Sequence, residues 1–325
     1  MDNTRLPASA TDYTLDNRDL QSGLNEKTGH FLRGVWRLCD PKISLASLSS
    51  IFLGTCIAAT AGPIHWGWLG LTVAGIICLE AAKNASGEIF DYEADVAVAD
   101  EDVSPFSGGK RVIVDGLLTE NQTKAVAAFF YLHGIAAGLA IFLFREPLIL
   151  GVGMIGVCLA YFYNAPPARL SYRGFGEIAV AITYGPLILS GTYLVQQNKL
   201  PLEVSLISIP LGILISAFLV INEFPDRKAD LAAGKKNLVV RLGENSSEWL
   251  FTAMIFAAYI LLLALPLAGI SVMVRIGIIG LPFAIAAAIR LMQTKETAKL
   301  IAAQRWAMFS FVLAALGSGI GLLLG

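Results

Sequence analysis

Charge is scarce in this 325-residue chain, with Asp, Glu, Lys and Arg making up 15% of it, against roughly 25% in soluble domains. That shortage excludes an ordinary water-soluble globule. The 55% of residues that are hydrophobic come in runs of about 20, long enough to cross a bilayer core as helices. Cysteine is equally thin: Cys39, Cys56, Cys78 and Cys158 stand singly, with no CxxC pair and no Cys/His metal spacing, so they read as small core residues. No short apolar stretch follows the start, where residues 1–28 are polar, so no cleavable signal peptide is expected. A net charge of -1 points to no partner by itself, and no nucleic-acid partner is expected.

What is present reads as an all-α, polytopic membrane protein. Residues 1–28 are polar and mixed in charge. The stretch from His30 to Lys42 alternates aromatic and basic residues at near-helical spacing, as an interfacial helix does. A tail and interfacial helix over 1–42 therefore precede a transmembrane domain over 43–325. Nine spans are expected, at about 43–62, 67–90, 123–144, 147–163, 176–195, 203–222, 248–267, 271–289 and 306–324. With the amino terminus in the cytoplasm, all of the 24 basic residues except Arg145, Lys199 and Arg275 fall on the cytoplasmic side, the asymmetry that orients membrane proteins. The outer loops are short. The two long inner ones, 96–122 and 223–247, exceed the length at which structureless connections are usual.

Each long inner loop follows an acidic cluster. Read as one helix, Asn84, Glu88, Asp91 and Asp95 of NASGEIFDYEAD fall at i, i+4, i+7 and i+11, within roughly 60° of each other. Carboxylates crowded on one stripe repel unless a cation lies among them. The second cluster, Asn222, Glu223, Asp226 and Asp230 of NEFPDRKAD, contains Pro225, so a kink or restart of the helix is expected there. Magnesium is held by one or two carboxylates together with phosphate oxygens and water, which makes Glu88, Asp91, Asp95, Asp226 and Asp230 candidate metal ligands. Solvated acids at helix ends are the plainer alternative, and two such clusters in one chain weigh against it.

Basic, glycine-containing stretches come next: SGGKRVIV, with Lys110 and Arg111, and GKKNLVVR, with Lys235. Glycines let a backbone approach phosphate, and the cations neutralise it, although cytoplasmic charge bias alone would also place these residues. A third segment, YFYNAPPARLSYRGFGE, carries Tyr163, Arg169, Tyr172 and Arg173. Its aromatics suit an interface anchor or the stabilisation of a carbocation through their ring faces. His133 lies alone within the third span and reads as a satisfied interhelical residue. The spans are otherwise almost free of charge, Glu80 being the clearest exception.

Together these motifs resemble the UbiA-type intramembrane prenyltransferases, from Pro41 to Gly243, and the GKKNLVVRLG tail is most similar to the menaquinone branch, which prenylates 1,4-dihydroxy-2-naphthoate. The resemblance implies a nine-helix fold around a central cavity open to the membrane. It also implies Mg²⁺ held on a polyprenyl diphosphate between two facing aspartate motifs. Asp91, Asp95, Asp226 and Asp230 match the catalytic aspartates, with Asn222 at the preceding polar position of the second motif. Gly87 and Glu88 stand where the family usually has Asn and Asp, so Asn84 is the nearest amide on the same helix face. Ser171 stands where a second basic residue is common.

The expected chemistry is Mg-dependent transfer of a polyprenyl group to an electron-rich aromatic acceptor at the cytoplasmic face of the cytoplasmic membrane, with the prenyl tail left in the bilayer. Lys110, Arg111, Arg169 and Lys235 supply positive charge. Asn84, Tyr163, Tyr172 and Asn222 complete the substrate site. Other acceptors in view are 4-hydroxybenzoate, homogentisate, a tetrapyrrole and a glycerol-phosphate ether. A transporter is the rival of a different class, but its polar residues and broken helices belong near the bilayer midplane, whereas these acids gather at one face. A non-catalytic scaffold would leave the paired motifs unexplained.

Overall fold

The computed structural model describes residues 17–99 and 102–325, and no strand occurs among them. In chain order the helices are α1 (Asn17–Cys39), α2 (Pro41–Ala61), α3 (Trp66–Phe90), α4 (Tyr92–Ala97), α5 (Glu120–Phe144), α6 (Ile149–Phe162) and α7 (Gly176–Ile182). They continue with α8 (Ile188–Gln197), α9 (Leu202–Ala232), α10 (Leu238–Leu242), α11 (Glu244–Ala264), α12 (Leu281–Gln293) and α13 (Thr297–Leu324). A π-helical turn, Thr183–Leu187, joins α7 to α8, and a 3₁₀ stretch, Val272–Gly280, leads into α12. The first 16 residues of the expected polar tail lie outside the described residues, and from Asn17 the backbone is already helical.

Among the described residues, seven helical stretches are long and apolar enough to cross a bilayer, fewer than the nine expected. The difference has two physical sources. The α3 helix is 25 residues long, but Glu80, Lys83 and Glu88 dilute its hydropathy. The α6 helix has 14 residues, a rise of about 21 Å against a hydrocarbon core of roughly 30 Å. Pro225 does not end its helix either, and α9 runs through Pro210 and Pro225 for 31 residues. Its span is deeply buried, and a helix held by neighbours tolerates a missing backbone bond.

The core lies where α2, α9, α11, α12 and α13 meet, around Ile221, Phe251, Leu291, Leu300 and Phe311. Lipid supplies no hydrophobic drive between helices, so close backbone approach and hydrogen bonds hold such a core together. Where α9 crosses the π turn, a Cβ on Gly212 would collide with the Ala181 carbonyl. One turn further on, Ser216 Oγ donates to the Glu177 carbonyl at 2.7 Å. On the other side α3 packs along α5. His133 of α5 is satisfied within its own helix, through a 2.7 Å contact between Nδ1 and the Phe129 carbonyl, so it is not interhelical. Of the cysteines, only Cys56 is buried in the core.

Candidate active site

The first acidic motif does not form one helical stripe. The helix stops at Phe90, Asp91 takes a non-helical conformation (φ -105°, ψ 9°), and α4 starts at Tyr92. The break separates the motif into two pairs with different tasks. Asn84 Nδ2 donates to the Leu38 carbonyl at 2.8 Å, tying α3 to the end of α1. Glu88 accepts backbone N–H groups from Lys110, Arg111 (3.0 Å) and Val112 (2.6 Å) through its two oxygens. It therefore clamps the inner loop, and both its oxygens are engaged. Asp91 and Asp95 turn instead toward the second motif on α9, against which α4 packs.

There the two motifs meet around Lys235. Its ammonium lies 3.4 Å from Asp230 Oδ1 and 3.9 Å from Asp91 Oδ2. Burial alone would lower the Lys235 pKa, but Asp230 and Asp91 outweigh it and hold the group well above the ordinary lysine range. Asp230 is steadied by Asn237 Nδ2 at 2.7 Å. Asp226 accepts from Ser107 Oγ (2.8 Å) and the Gly108 N–H (3.3 Å). The loop after α4 is thus folded over the site rather than structureless. Its Val112 and Leu118 pack with Leu38, Ala85, Val126 and Ala127. Gly109 lies so close under the Asp95 carboxylate that any Cβ there would overlap it. Close backbone approach, rather than turn geometry, demands this glycine.

The basic candidates divide in the same way. Lys110 pairs with buried Asp40 at 2.6 Å and donates to the Ser107 carbonyl, which makes it part of the loop's anchorage. Arg111 Nη1 donates to the Asp95 and Val98 carbonyls at the end of α4. Arg169 faces the site: its guanidinium stacks 3.6 Å from the centre of the Tyr172 ring, and its buried Nε is unpartnered. Burial, and then the neighbouring Asp91 carboxylate, pushes the Tyr172 phenol upward. Asn164 and Ser171 escaped the sequence reading as site residues although both lie in the quoted aromatic segment. The Asn164 Nδ2 sits 2.7 Å from where a Gly87 Cβ would be, and Ser171 Oγ donates to its Oδ1 at 2.9 Å. An amide therefore stands over Gly87, and it comes from Asn164 rather than Asn84.

Among the described residues, no three carboxylates converge on a single ion-sized point. The donor set nonetheless suits a hard cation. Asp91 Oδ1, Asn222 Oδ1 and Glu223 Oε2 are buried oxygens without partners, and Mg²⁺ needs only one or two carboxylates when phosphate oxygens and water complete its shell. Asp95 adds a pH signature. Burial, followed by the charges of Glu88 and Asp91, raises its carboxyl to about 8. Cation binding requires the ionised form. Mg²⁺ affinity at fixed ionic strength is therefore expected to rise up to about tenfold per pH unit below 8 and to flatten above it, with a proton released on binding. Calorimetry in buffers of different ionisation enthalpy checks this, and a flat affinity between pH 6 and 9 contradicts it.

Beside this cluster an apolar cleft of about 1130 Å³, mouth included, runs between α3, α5, α6 and the continuous helix that α7, the π turn and α8 form. Its wall is aliphatic and glycine-rich, from Leu71 and Gly75 to Leu159 and Val195, and Tyr163 lies at its polar end. Lys83, also at that end, is eight residues before Asp91, about 12 Å along α3.

A polytopic helical membrane protein with opposed acid motifs, a lysine between them and an apolar cleft alongside is organised as an enzyme for an amphipathic, anionic-headed substrate. The chain belongs to the UbiA prenyltransferase family, whose sequence profile matches residues 47–322, and it is a prenyltransferase. It is 24% identical to the 1,4-dihydroxy-2-naphthoate octaprenyltransferase of Bacillus subtilis, over 72% of this chain and 74% of that one. To the 2-carboxy-1,4-naphthoquinone phytyltransferase of Synechocystis it is 27% identical, over 74% and 76%. Its fold resembles that of a UbiA homologue from Archaeoglobus fulgidus bound to geranyl diphosphate (GPP) and Mg²⁺, with a TM-score of 0.60 at 16% identity over 92% of this chain and all of the other.

Proposed function

We propose that the protein transfers a polyprenyl group from a polyprenyl diphosphate to an electron-rich aromatic acceptor, in the making of menaquinone or a related isoprenoid quinone. The observation that carries this reading is the meeting of Asp91 and Asp230 at Lys235 beside an apolar cleft. The likeness to naphthoate prenyltransferases supports the acceptor class. Asp91, Asp95, Asp226 and Asp230 would hold Mg²⁺, which when bound supplies Lewis-acid stabilisation to the departing diphosphate.

This chain's own groups do the rest. Lys235 and Arg169 present cations to the diphosphate and stabilise the charge that grows on it as the C–O bond lengthens. The ring faces of Tyr163 and Tyr172 stand by the allylic carbon as it becomes positive. The loop held by Glu88 and Asp226 covers the site and excludes water, which would otherwise compete with the acceptor. The prenyl tail lies in the apolar cleft. The basic-residue asymmetry supports a site on the cytoplasmic side of the cytoplasmic membrane.

Labelled geranylgeranyl diphosphate, Mg²⁺ and a panel of aromatic acceptors, incubated with the protein in nanodiscs, test the reading. A lipid product with dihydroxynaphthoate that disappears with chelator is expected. Product from a different acceptor alone would overturn the quinone assignment, and a diphosphate that fails to bind would overturn prenyl transfer.

A further inference from the structure

The reaction as described makes no use of α1, yet this helix grips the loop that covers the site. Its side chains from Thr28 onward divide among three faces. Gly34 and Leu38, one turn apart, pack inward. A Cβ on Gly34 would collide with the Leu118 side chain, and Leu38 is fully buried in the cluster with Val112 and Leu118. Leu32 and Trp36, also one turn apart, are 61% and 67% exposed, with exposed Phe31 beside them. Arg33 and Arg37 form a third stripe, about 100° round the helix from the exposed apolar one. Arg33 is exposed and makes no ion pair among the described residues. Arg37 pairs with Asp115 and donates from Nη1 to the Lys110 carbonyl at 3.3 Å. Just past the helix, Asp40 pairs with the Lys110 ammonium. Asp40 alone separates α1 from α2, and α2 belongs to one of the bilayer-crossing stretches. The carboxyl end of α1 is therefore tied to the membrane edge, with lipid in reach of its exposed apolar face.

We infer that α1 docks on the anionic surface of the bilayer and, once docked, holds the loop over 110–118 in place. Phe31, Leu32 and Trp36 enter the boundary between headgroups and acyl chains, where amphipathic helices and Trp rings settle. Arg33 meets the lipid phosphates. Anionic lipid is selected over zwitterionic lipid because Arg33 brings a positive charge with no acid of its own to neutralise it. The packed face transmits the docked position. If α1 lifts away, it takes Gly34, Arg37 and Asp40 from Leu118, Asp115 and Lys110, and the loop loses its hold on that side.

Hydrogen exchange of the full chain in nanodiscs, read by mass spectrometry, tests this without turnover, so docking and prenyl transfer stand or fall separately. Discs of phosphatidylglycerol are compared with discs of phosphatidylcholine, with a single chain per disc and peptides from α9 as internal reference. In the wild type, exchange over 28–39 and 110–118 is expected to be about fivefold slower in phosphatidylglycerol, the effect of a single arginine at an anionic surface. The difference should vanish near ~1 M salt, where screening leaves a reach of only ~3 Å. Arg33→Gln should abolish the lipid difference and leave exchange in phosphatidylcholine unchanged. The double variant Leu32→Ser/Trp36→Ser changes only exposed side chains, so its α9 peptides should exchange as in the wild type. Its 28–39 and 110–118 segments should exchange roughly tenfold faster in either lipid. Arg37→Gln should loosen 110–118 severalfold while 28–36 keeps its lipid preference. Equal exchange in the two lipids, a lipid difference that persists in Arg33→Gln, or a double variant in which either segment stays slow overturns the inference. So does slow exchange over 28–39 that needs a second chain in the disc, which would make this face a contact between copies.

Discussion

Asp226→Ala is expected to lower prenyl transfer by roughly a thousandfold, at the upper end of what one preorganised electrostatic contact contributes. Two consequences combine in that number. The substitution removes one of the four carboxylates proposed to hold the cation. It also leaves the Ser107 hydroxyl and the Gly108 N–H without their acceptor, which frees the loop that carries Gly109 over Asp95. Asp226→Asn separates the two. Its amide oxygen still accepts from Ser107, the shorter of the two bonds, while its NH₂ faces the Gly108 N–H, so the loop keeps one of its two anchors here, and a loss of roughly a hundredfold is expected, mainly from the missing charge. Transfer of labelled geranylgeranyl to dihydroxynaphthoate at saturating Mg²⁺ measures both. If the asparagine variant stays within tenfold of the wild type, Asp226 acts on the loop and not on the diphosphate.

The aspartates were legible in the sequence because a bilayer protein carries so few acids that two clusters at span ends stand out. The break at Asp91 was not legible. Helical periodicity treats 84–95 as one rod, and no proline or glycine at position 91 announces the turn. The partners that decide the tasks of Asn84 and Glu88 are Leu38 and the backbone of 110–112, which lie 46 and 22 to 24 residues away in sequence. Periodicity carries no information at that distance. Lys110 looked like a phosphate ligand for a similar reason: its counter-ion, Asp40, sits in the joint between α1 and α2, where nothing in the local pattern singles it out. Glu80 was visible as a charge inside a span, but its hydrogen-bond partners, Ser47 and Tyr184, come from two other helical segments. By length and composition, seven of the expected spans stand out among the described residues, and α3 and α6 do not. In α3 the charges that lead toward the site make the helix less apolar, whereas α6 is strongly apolar and is set apart by its 14-residue length alone.

Glu88 provides the sharpest separation between a ligand and a positioning residue, because the two roles respond oppositely to added metal. As a clamp it accepts three backbone N–H groups, and hydrogen bonds to a charged group contribute about 1.5–3 kcal/mol each. In Glu88→Gln the amide oxygen serves Lys110 and Arg111, but its NH₂ faces the Val112 N–H, donor against donor. The loop should loosen, and its backbone over 104–118 should be cleaved faster by protease than in the wild type. Prenyl transfer is expected to fall roughly a hundredfold, because Gly108 and Gly109 no longer hold their places against Asp226 and Asp95. Raising Mg²⁺ well past saturation should restore none of it, since the aspartates proposed as cation ligands are intact and only their cover has moved. The opposite pattern, full activity regained at high Mg²⁺ with protease sensitivity unchanged, would make Glu88 a direct ligand. The Glu88→Asp variant extends the contrast. A ligand role tolerates the shorter carboxylate if the helix can shift toward the cation. A clamp does not, because one methylene less cannot reach three consecutive N–H groups of a loop fixed elsewhere by Lys110 on Asp40 and Ser107 on Asp226.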